Sequence, residues 1–263
     1  MSLYKSIADF YDEIFPLKSA RLSFVSSLLN KSALDILDIG CASGELALAL
    51  AKNGHHVFGI DLDPNMVELA REKAGSSENS GLQVEFYEKD MLKVGTDFSP
   101  SSFDAVLCFG NTLVHLENLE KMEELFRGVF KVLKKGGIFI LQVVNYDRVL
   151  SEGVKELPLI ERENFTFHRK YHVDRVKHRI GFHTRLVIKE TGQVLAGSET
   201  LYPLTFKELN STLVRAGFTE LQFFGNESKA PFSKESPALI AAGGPMAWGT
   251  YLGPSGHPEG FFK

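Results

Sequence analysis

Residues 34–51 read LDILDIGCASGELALALA, and this stretch decides the fold. An apolar strand pattern runs directly into small residues and glycines, carries an acid at Asp38, and becomes a helical pattern at once. A tight strand-to-helix turn with glycines lets the backbone approach a ligand closely. A dinucleotide fingerprint, G-x-G-x-x-G, would put its third glycine on Glu45, an acid where a pyrophosphate would sit, which argues against NAD or FAD.

Outward from this turn, the chain to about Val144 alternates short apolar runs with amphipathic segments. The strand patterns are ALDILDI, HHVFGI, LQVEFYE, FDAVLCF and GIFILQVV. Between them SGELALALAKNG, PNMVELAREKAG and NLEKMEELFRGVFKVLKKGG read as helices, the second with Pro64 at its start and the third with basic residues before its closing glycines. Strands alternating with helices predict a parallel, doubly wound sheet whose ligand lies at the carboxyl ends of the strands.

After Val144 the rhythm changes. Segments NFTFHRKYHV, HRIGFHTRLVIKE and QVLAGSETLY, with a KETGQ turn, predict an antiparallel set of strands over residues 145–204. Residues 205–242 return to the core, with Thr205 and Glu208 forming a capping box and TELQFFG and SPALIAAGG as final strands. Residues 243–263, rich in Gly and Pro and without periodicity, read as an irregular tail.

The 263 residues suffice for a sizeable core, no apolar run approaches a membrane span, and the first residues lack the basic start and apolar centre of a signal peptide. A cytoplasmic location follows as the expectation. Only Cys41 and Cys108 are present, both inside or beside apolar strand patterns, so they read as reduced, buried thiols. The net charge of −4 gives no reason to expect nucleic acid.

The turn DIGCASGE resembles the first motif of the class I S-adenosylmethionine-dependent methyltransferases, with Ala42 where that family usually has a glycine. The resemblance implies a Rossmann-like, mostly parallel seven-stranded α/β sheet, here with an antiparallel β insert after the fifth strand. It also implies S-adenosylmethionine as cofactor and S-adenosylhomocysteine as product. Asp38 would meet the cofactor's ammonium, and Gly40, Cys41, Ala42 and Gly44 would let the turn approach it. Further along, VFGIDLDPNMVELA places Asp61 at the end of the second strand, 21 residues after Gly40, where a carboxylate accepts ribose hydroxyls. Leu62 and Met66 would flank the adenine, while Asp63 reads as a helix-start acid. In EKDML, Asp90 and Met91 would read the adenine edge; Phe109 and Asn111 would end the fourth strand beside the sulfonium. Tyr11, in IADFYDEIF, would belong to a lid over the cofactor.

Methyl transfer from a sulfonium needs alignment in a dry site more than side-chain chemistry. The fourth strand ends in CFGNT, without the Asn-Pro-Pro-aromatic signature of base-amine methyltransferases, and no carboxylate cluster suggests Mg²⁺. CFGNTLVHL, NYDRVL and LYPLTF resemble the glycine/sarcosine N-methyltransferase branch and its small-molecule relatives. That resemblance implies that Asn145 holds a substrate carboxylate and Tyr202 lines the acceptor pocket. His115 follows the fourth strand, where it could deprotonate an amine or hydroxyl or simply order the loop.

Between Glu161 and Lys189 the insert carries eight basic residues against three acidic ones, a net of +5. This suggests an anionic small substrate, against the alternative of a solvated outer strand face. Four histidines in the same insert lack any usual metal-ligand spacing, so no metal is expected. The leading expectation is methylation of an amine nitrogen on an acid-bearing small molecule. A small-molecule O-methyltransferase and a non-catalytic binding or regulatory protein stay open, as does self-association through the apolar side chains of the tail.

Overall fold

In the computed structural model, residues 7–29 and 31–245 are described, and the predicted strand-helix alternation folds as one sheet. Strands β1 (Asp35–Ile39), β2 (His56–Asp61), β3 (Val84–Glu88), β4 (Phe103–Cys108) and β5 (Leu133–Val144) run parallel. Near the chain's end β10 (Thr219–Phe224) and β11 (Ala238–Gly244) complete the sheet in the order β10-β11-β5-β4-β1-β2-β3, with β11 antiparallel to both neighbours. The central strands are buried on both faces, as their near-continuous apolar runs require.

On one face pack α2 (Ser19–Ser26), α3 (Glu45–Lys52) and α4 (Pro64–Ala74), burying Phe24, Leu46, Leu50 and Val67 among other side chains. On the other, α5 (Val94–Asp97) contributes Val94, α6 (Leu119–Val132) contributes Met122, Leu125, Phe126 and Val129, and α8 (Phe206–Arg215) contributes Leu209 and Leu213. Each such side chain stabilises the fold by about 1.5–3 kcal/mol relative to exposure. Asp63 caps α4 by accepting from the amides of Asn65 and Met66, and Thr205 with Glu208 forms the reciprocal box that starts α8.

Two boundaries differ from expectation. The helix read over residues 118–137 ends at Val132, because Leu133 is extended and β5 begins there, with Gly136 at φ +77°. Lys134, expected to complement a helix end, instead reaches Asp35 and Asp104 at 2.7 and 2.8 Å, at the amino ends of the central strands β1 and β4. Gly243 and Gly244, assigned to the tail, belong to β11; residues 246–263 of that tail lie outside the described residues. A further helix, α7 (Tyr146–Glu152), was not anticipated in NYDRVL.

Between α7 and α8 stands a four-stranded antiparallel sheet: β6 (Ile160–Glu161), β7 (Phe165–Asp174), β8 (Arg179–Ile188) and β9 (Val194–Leu201), in sequential order. Its apolar face does not stand alone. Phe165, Phe167 and Leu186 cluster with Ile7 and Ile14, and Phe10 and Phe15 meet Phe165 and Phe167 edge-on at 5.4 and 6.0 Å. The N-terminal turn, which includes α1 (Tyr11–Ile14), is thereby tied to the insert. Tyr202, just past β9, donates its amide to Val114 at 2.8 Å and fixes the insert to the segment after β4. No helix among the described residues is long and apolar enough to cross a membrane.

Candidate active site

The turn after β1 is closely packed backbone. Gly40 has φ +70°, and a Cβ there would come within 2.3 Å of the Thr112 side chain; at Gly44, φ +80°, it would meet Phe86 at 2.6 Å. Ala42 is also left-handed, at φ +47°, which explains why glycine is usual at this position and costs roughly 1–2 kcal/mol for an alanine. A carboxylate holds this conformation. Asp61 Oδ2 accepts from the Ala42 amide at 2.9 Å, while its Oδ1 accepts from the Asp63 amide at 3.0 Å. The end of β2 is thus laced to the turn after β1.

Above these strand ends lies a cavity of about 470 Å³, joined to a smaller one of about 60 Å³ through shared walls at Tyr11, Gly40, Ala42, Phe109 and Gly110. The larger space has Asp61, Leu62 and Met66 from the β2 turn, Asp90 and Met91 from the β3 turn, and His115 from the turn after β4. The smaller has Asp38, Cys41 and Gly44's neighbours Ser43 and Glu45. One continuous cleft therefore gathers nearly all the residues expected to contact a cofactor. Gly44 itself shapes the turn as the left-handed cap of α3.

Charge in this cleft is unusual. Asp38 is buried, and burial, reinforced by the neighbouring Asp61, pushes its carboxyl up from 3.8 to about 7, against the pull of Arg21. No side-chain hydrogen bond satisfies it among the described residues. Burial likewise raises Asp61, despite its amide donors, and raises the Tyr11 phenol and the Cys41 thiol. A buried carboxylate lacking a donor is stabilised by a cationic ligand. Arg21 itself is paired with Glu227 at 2.9 Å and lies over the Phe109 ring. The wall nearest α1 is latched by Asp12, which bonds Ser43 and pairs with Lys73, in turn bonded to Glu45 at 2.8 Å.

Besides Gly44, three expected residues do not line the cleft. Asn145 is fully buried and caps α7, and its amide donates to the carbonyls of Ser233, Lys234 and Ser236, so it anchors the loop before β11 rather than facing a substrate. Tyr202 turns away and bonds Glu208 at 2.9 Å, within the α8 cap. Asn111 spends its side chain on the Tyr146 hydroxyl and the Val144 amide, both at 2.9 Å, holding the β4 turn to β5. The basic residues of the insert also point elsewhere: Arg169 donates to Pro158, Arg175 to Leu150, and Lys170 and Lys189 pair with Glu156 and Glu161. No three His, Cys, Asp or Glu side chains among the described residues converge as a metal site.

In their place stand residues the motifs did not single out: Thr112, Lys89, Arg21 and, from the insert, Glu199. For Glu199 a signal existed. In VLAGSETL the alternate positions Leu195, Gly197, Glu199 and Leu201 face inward, and Glu199 is the one charge among them.

Residues 36–137 match a family described as a methyltransferase domain. A candidate methyltransferase of Geobacillus sp. (strain WCH70) is 28% identical over 89% of this chain and 94% of its own. A ubiquinone biosynthesis O-methyltransferase of Xanthomonas euvesicatoria is 33% identical, but over 49% of this chain, which spans only 51% of that relative. Among solved structures, the CcbJ methyltransferase of Streptomyces caelestis superposes with a TM-score of 0.79 at 21% identity, covering 94% of this chain and 99% of its own. The sugar N-methyltransferase KedS8 of Streptoalloteichus gives 0.66 at 18% identity, covering 90% and 91%. The fold and site thus define a Rossmann-like methyltransferase architecture. Residues 36–137 are similar to a methyltransferase domain, set in a sheet of the kind found in methyltransferases of known structure.

Proposed function

We propose that the protein methylates an amine nitrogen of a small molecule, using S-adenosylmethionine held across the ends of β1, β2 and β3. The observation that carries this reading is the buried, donor-free carboxylate of Asp38 beside Gly40 in a cleft continuous with Asp61 and Met91. Asp38 would meet the cofactor's ammonium, and Asp61 its ribose. Leu62, Met66, Asp90 and Met91 would enclose the adenine, with Cys41 and Ala42 presenting the turn's backbone. When bound, the cofactor supplies a methyl group on a sulfonium, already activated for transfer.

The chain's own task is then to exclude water and to present an acceptor. Tyr11 and Phe109 wall the cleft where its two parts join, and His115 stands in the larger part. Burial lowers the basicity of His115, which keeps its imidazole neutral and able to take a proton from an acceptor at neutral pH. The sugar N-methyltransferase among the fold neighbours agrees with a nitrogen acceptor. Transfer to an oxygen is the second reading, favoured by the O-methyltransferase relative over the shared half of the chain. The glycine/sarcosine-like resemblance of CFGNTLVHL, NYDRVL and LYPLTF implied acceptor roles for Asn145 and Tyr202, neither of which lines the cleft, so the acceptor is argued from the cavity instead.

Titration calorimetry with S-adenosylhomocysteine tests the cofactor site. The expected result is micromolar binding that Asp61→Ala weakens by about 3 kcal/mol, since both a ribose acceptor and the tie to Ala42 are lost. Absence of binding by the folded wild-type protein would sink the proposal and leave the binding-protein reading in front. Transfer of labelled methyl to amines, compared with matched alcohols, then separates nitrogen from oxygen.

A further inference from the structure

We infer that Glu199 selects the acceptor: the site takes a cationic amine, whose ammonium is received by the Glu199 carboxylate and passed to His115 for deprotonation. This rests on the methyltransferase reading of the same cleft and names its substrate class.

Three observations lead here. First, Glu199 lines the large cavity together with His115, although the two come from different parts of the fold: β9 of the insert and the turn after β4. The bond from the Tyr202 amide to the Val114 carbonyl, 2.8 Å, fixes these two segments side by side. Second, the residues beside Glu199 on its face of β9 and β8 carry no charge, and the one charge on that face of β7 is Arg169, opposite Thr184, whose guanidinium donates to the Pro158 carbonyl. Leu195, Gly197 and Leu201 flank it along β9, and Ile180, Phe182 and Thr184 face the same way on β8. Third, the cavity's other charged groups from the neighbouring elements are Asp61 at the end of β2, Asp63 just after it, and Lys89 and Asp90 after β3. Four carboxylates against one lysine make a cavity that attracts cations.

The basic count of the insert suggests an anionic acceptor, but the charged side chain that the insert places on the cavity wall is Glu199. Arg185 and His183 alternate with the inward positions of β8 and are exposed, whereas the insert's contribution to the cavity is an acid. An arriving ammonium therefore finds a counter-charge from the insert and a neutral imidazole from the core. In the proton step an N–H bond of the ammonium breaks, its electron pair stays on nitrogen, and the proton moves to a His115 ring nitrogen. The resulting imidazolium is stabilised by the adjacent Glu199, whose charge favours protonated His115.

The test uses the protein loaded with S-adenosylhomocysteine and a matched probe pair, cyclohexylamine and cyclohexanol, titrated by calorimetry. Wild-type protein is expected to bind the ammonium about tenfold more tightly than the alcohol, and Glu199→Gln to erase that preference. S-adenosylhomocysteine affinity should stay within about twofold, and the His115 imidazole, followed by NMR, should titrate at lower pH in the variant. Equal binding of the two probes by wild type, failure of the amine to bind, or a preference that survives Glu199→Gln would overturn the inference. Those results with S-adenosylhomocysteine still bound would leave the methyltransferase reading standing, whereas loss of cofactor binding by wild type would take both down.

Discussion

The strand ends of the core and the antiparallel insert build the two walls of one cleft, but they do so by different physics. In the core, function is written in the backbone. Gly40, Ala42 and Gly44 all adopt left-handed conformations, and Asp61 stitches one turn to the next through amides. In the insert, function is written in strand parity: β8 presents Arg179 and Arg185 on one face of the sheet, and β9 presents Glu199 on the other. A turn that needs φ above zero restricts which residues can stand there, so it leaves a readable mark. A strand face accepts almost any side chain that suits its neighbours, so composition alone does not say which way a charge points.

The largest effect that would sharpen this contrast concerns Asn145. Its amide serves three backbone carbonyls in a fully buried position, while its oxygen caps α7. Asn145→Ala is therefore expected to destabilise the protein by about 3 kcal/mol, through buried acceptors left unsatisfied and a lost cap. Chemical denaturation would show this, with S-adenosylhomocysteine affinity of the folded variant unchanged. A stable variant with impaired acceptor binding would instead return Asn145 to the substrate site.

Asp38 should behave in the opposite sense. Its folded-state pKa, raised to about 7 by burial, exceeds the unfolded value of 3.8. The folded state therefore binds more protons between these values, and stability falls as pH rises through that window. The full shift corresponds to roughly 4 kcal/mol, of which relaxation in an open cleft returns a part. Asp38→Asn should thus stabilise the ligand-free protein by about 2 kcal/mol at pH 8 and by nearly nothing at pH 4, while weakening the cofactor. Equal melting temperatures for variant and wild type at pH 8 would show that the carboxylate is not strained by its burial. A residue whose removal stabilises the fold but costs affinity marks a site maintained for its ligand.

The same division explains how far the sequence could be read. The alternation of strands and helices, the capping residues Asp63 and Thr205, and the turn from Gly40 to Gly44 were legible because each has a local physical cause. The end of α6 was misplaced because Lys134 and Lys135 suit a helix terminus by charge, and only the tertiary partners Asp35 and Asp104 show why Lys134 belongs to a strand. Asn111, Asn145 and Tyr202 follow motifs near the strand ends, yet their side chains turn toward Tyr146, the loop before β11 and the α8 cap. Sequence position located their backbones; which way each side chain turned depended on partners as many as 91 residues away.

The smallest expected effect bears most directly on the insert. Arg175 lies beyond β7 with its guanidinium on the Leu150 carbonyl at 3.2 Å, in a shallow recess with Arg179 and His178 that is separate from the cleft. An exposed cation of this kind contributes under about 1 kcal/mol to stability and cannot act on an acceptor it does not face. With S-adenosylhomocysteine bound, cyclohexanecarboxylate should bind no better than cyclohexanol, and Arg175→Ala should leave both affinities within about twofold. A carboxylate preference abolished by Arg175→Ala would mean that the insert closes over its substrate with the arginine face turned inward. That outcome would make the net charge of the segment, and not the parity of its strands, the better guide to what the site receives.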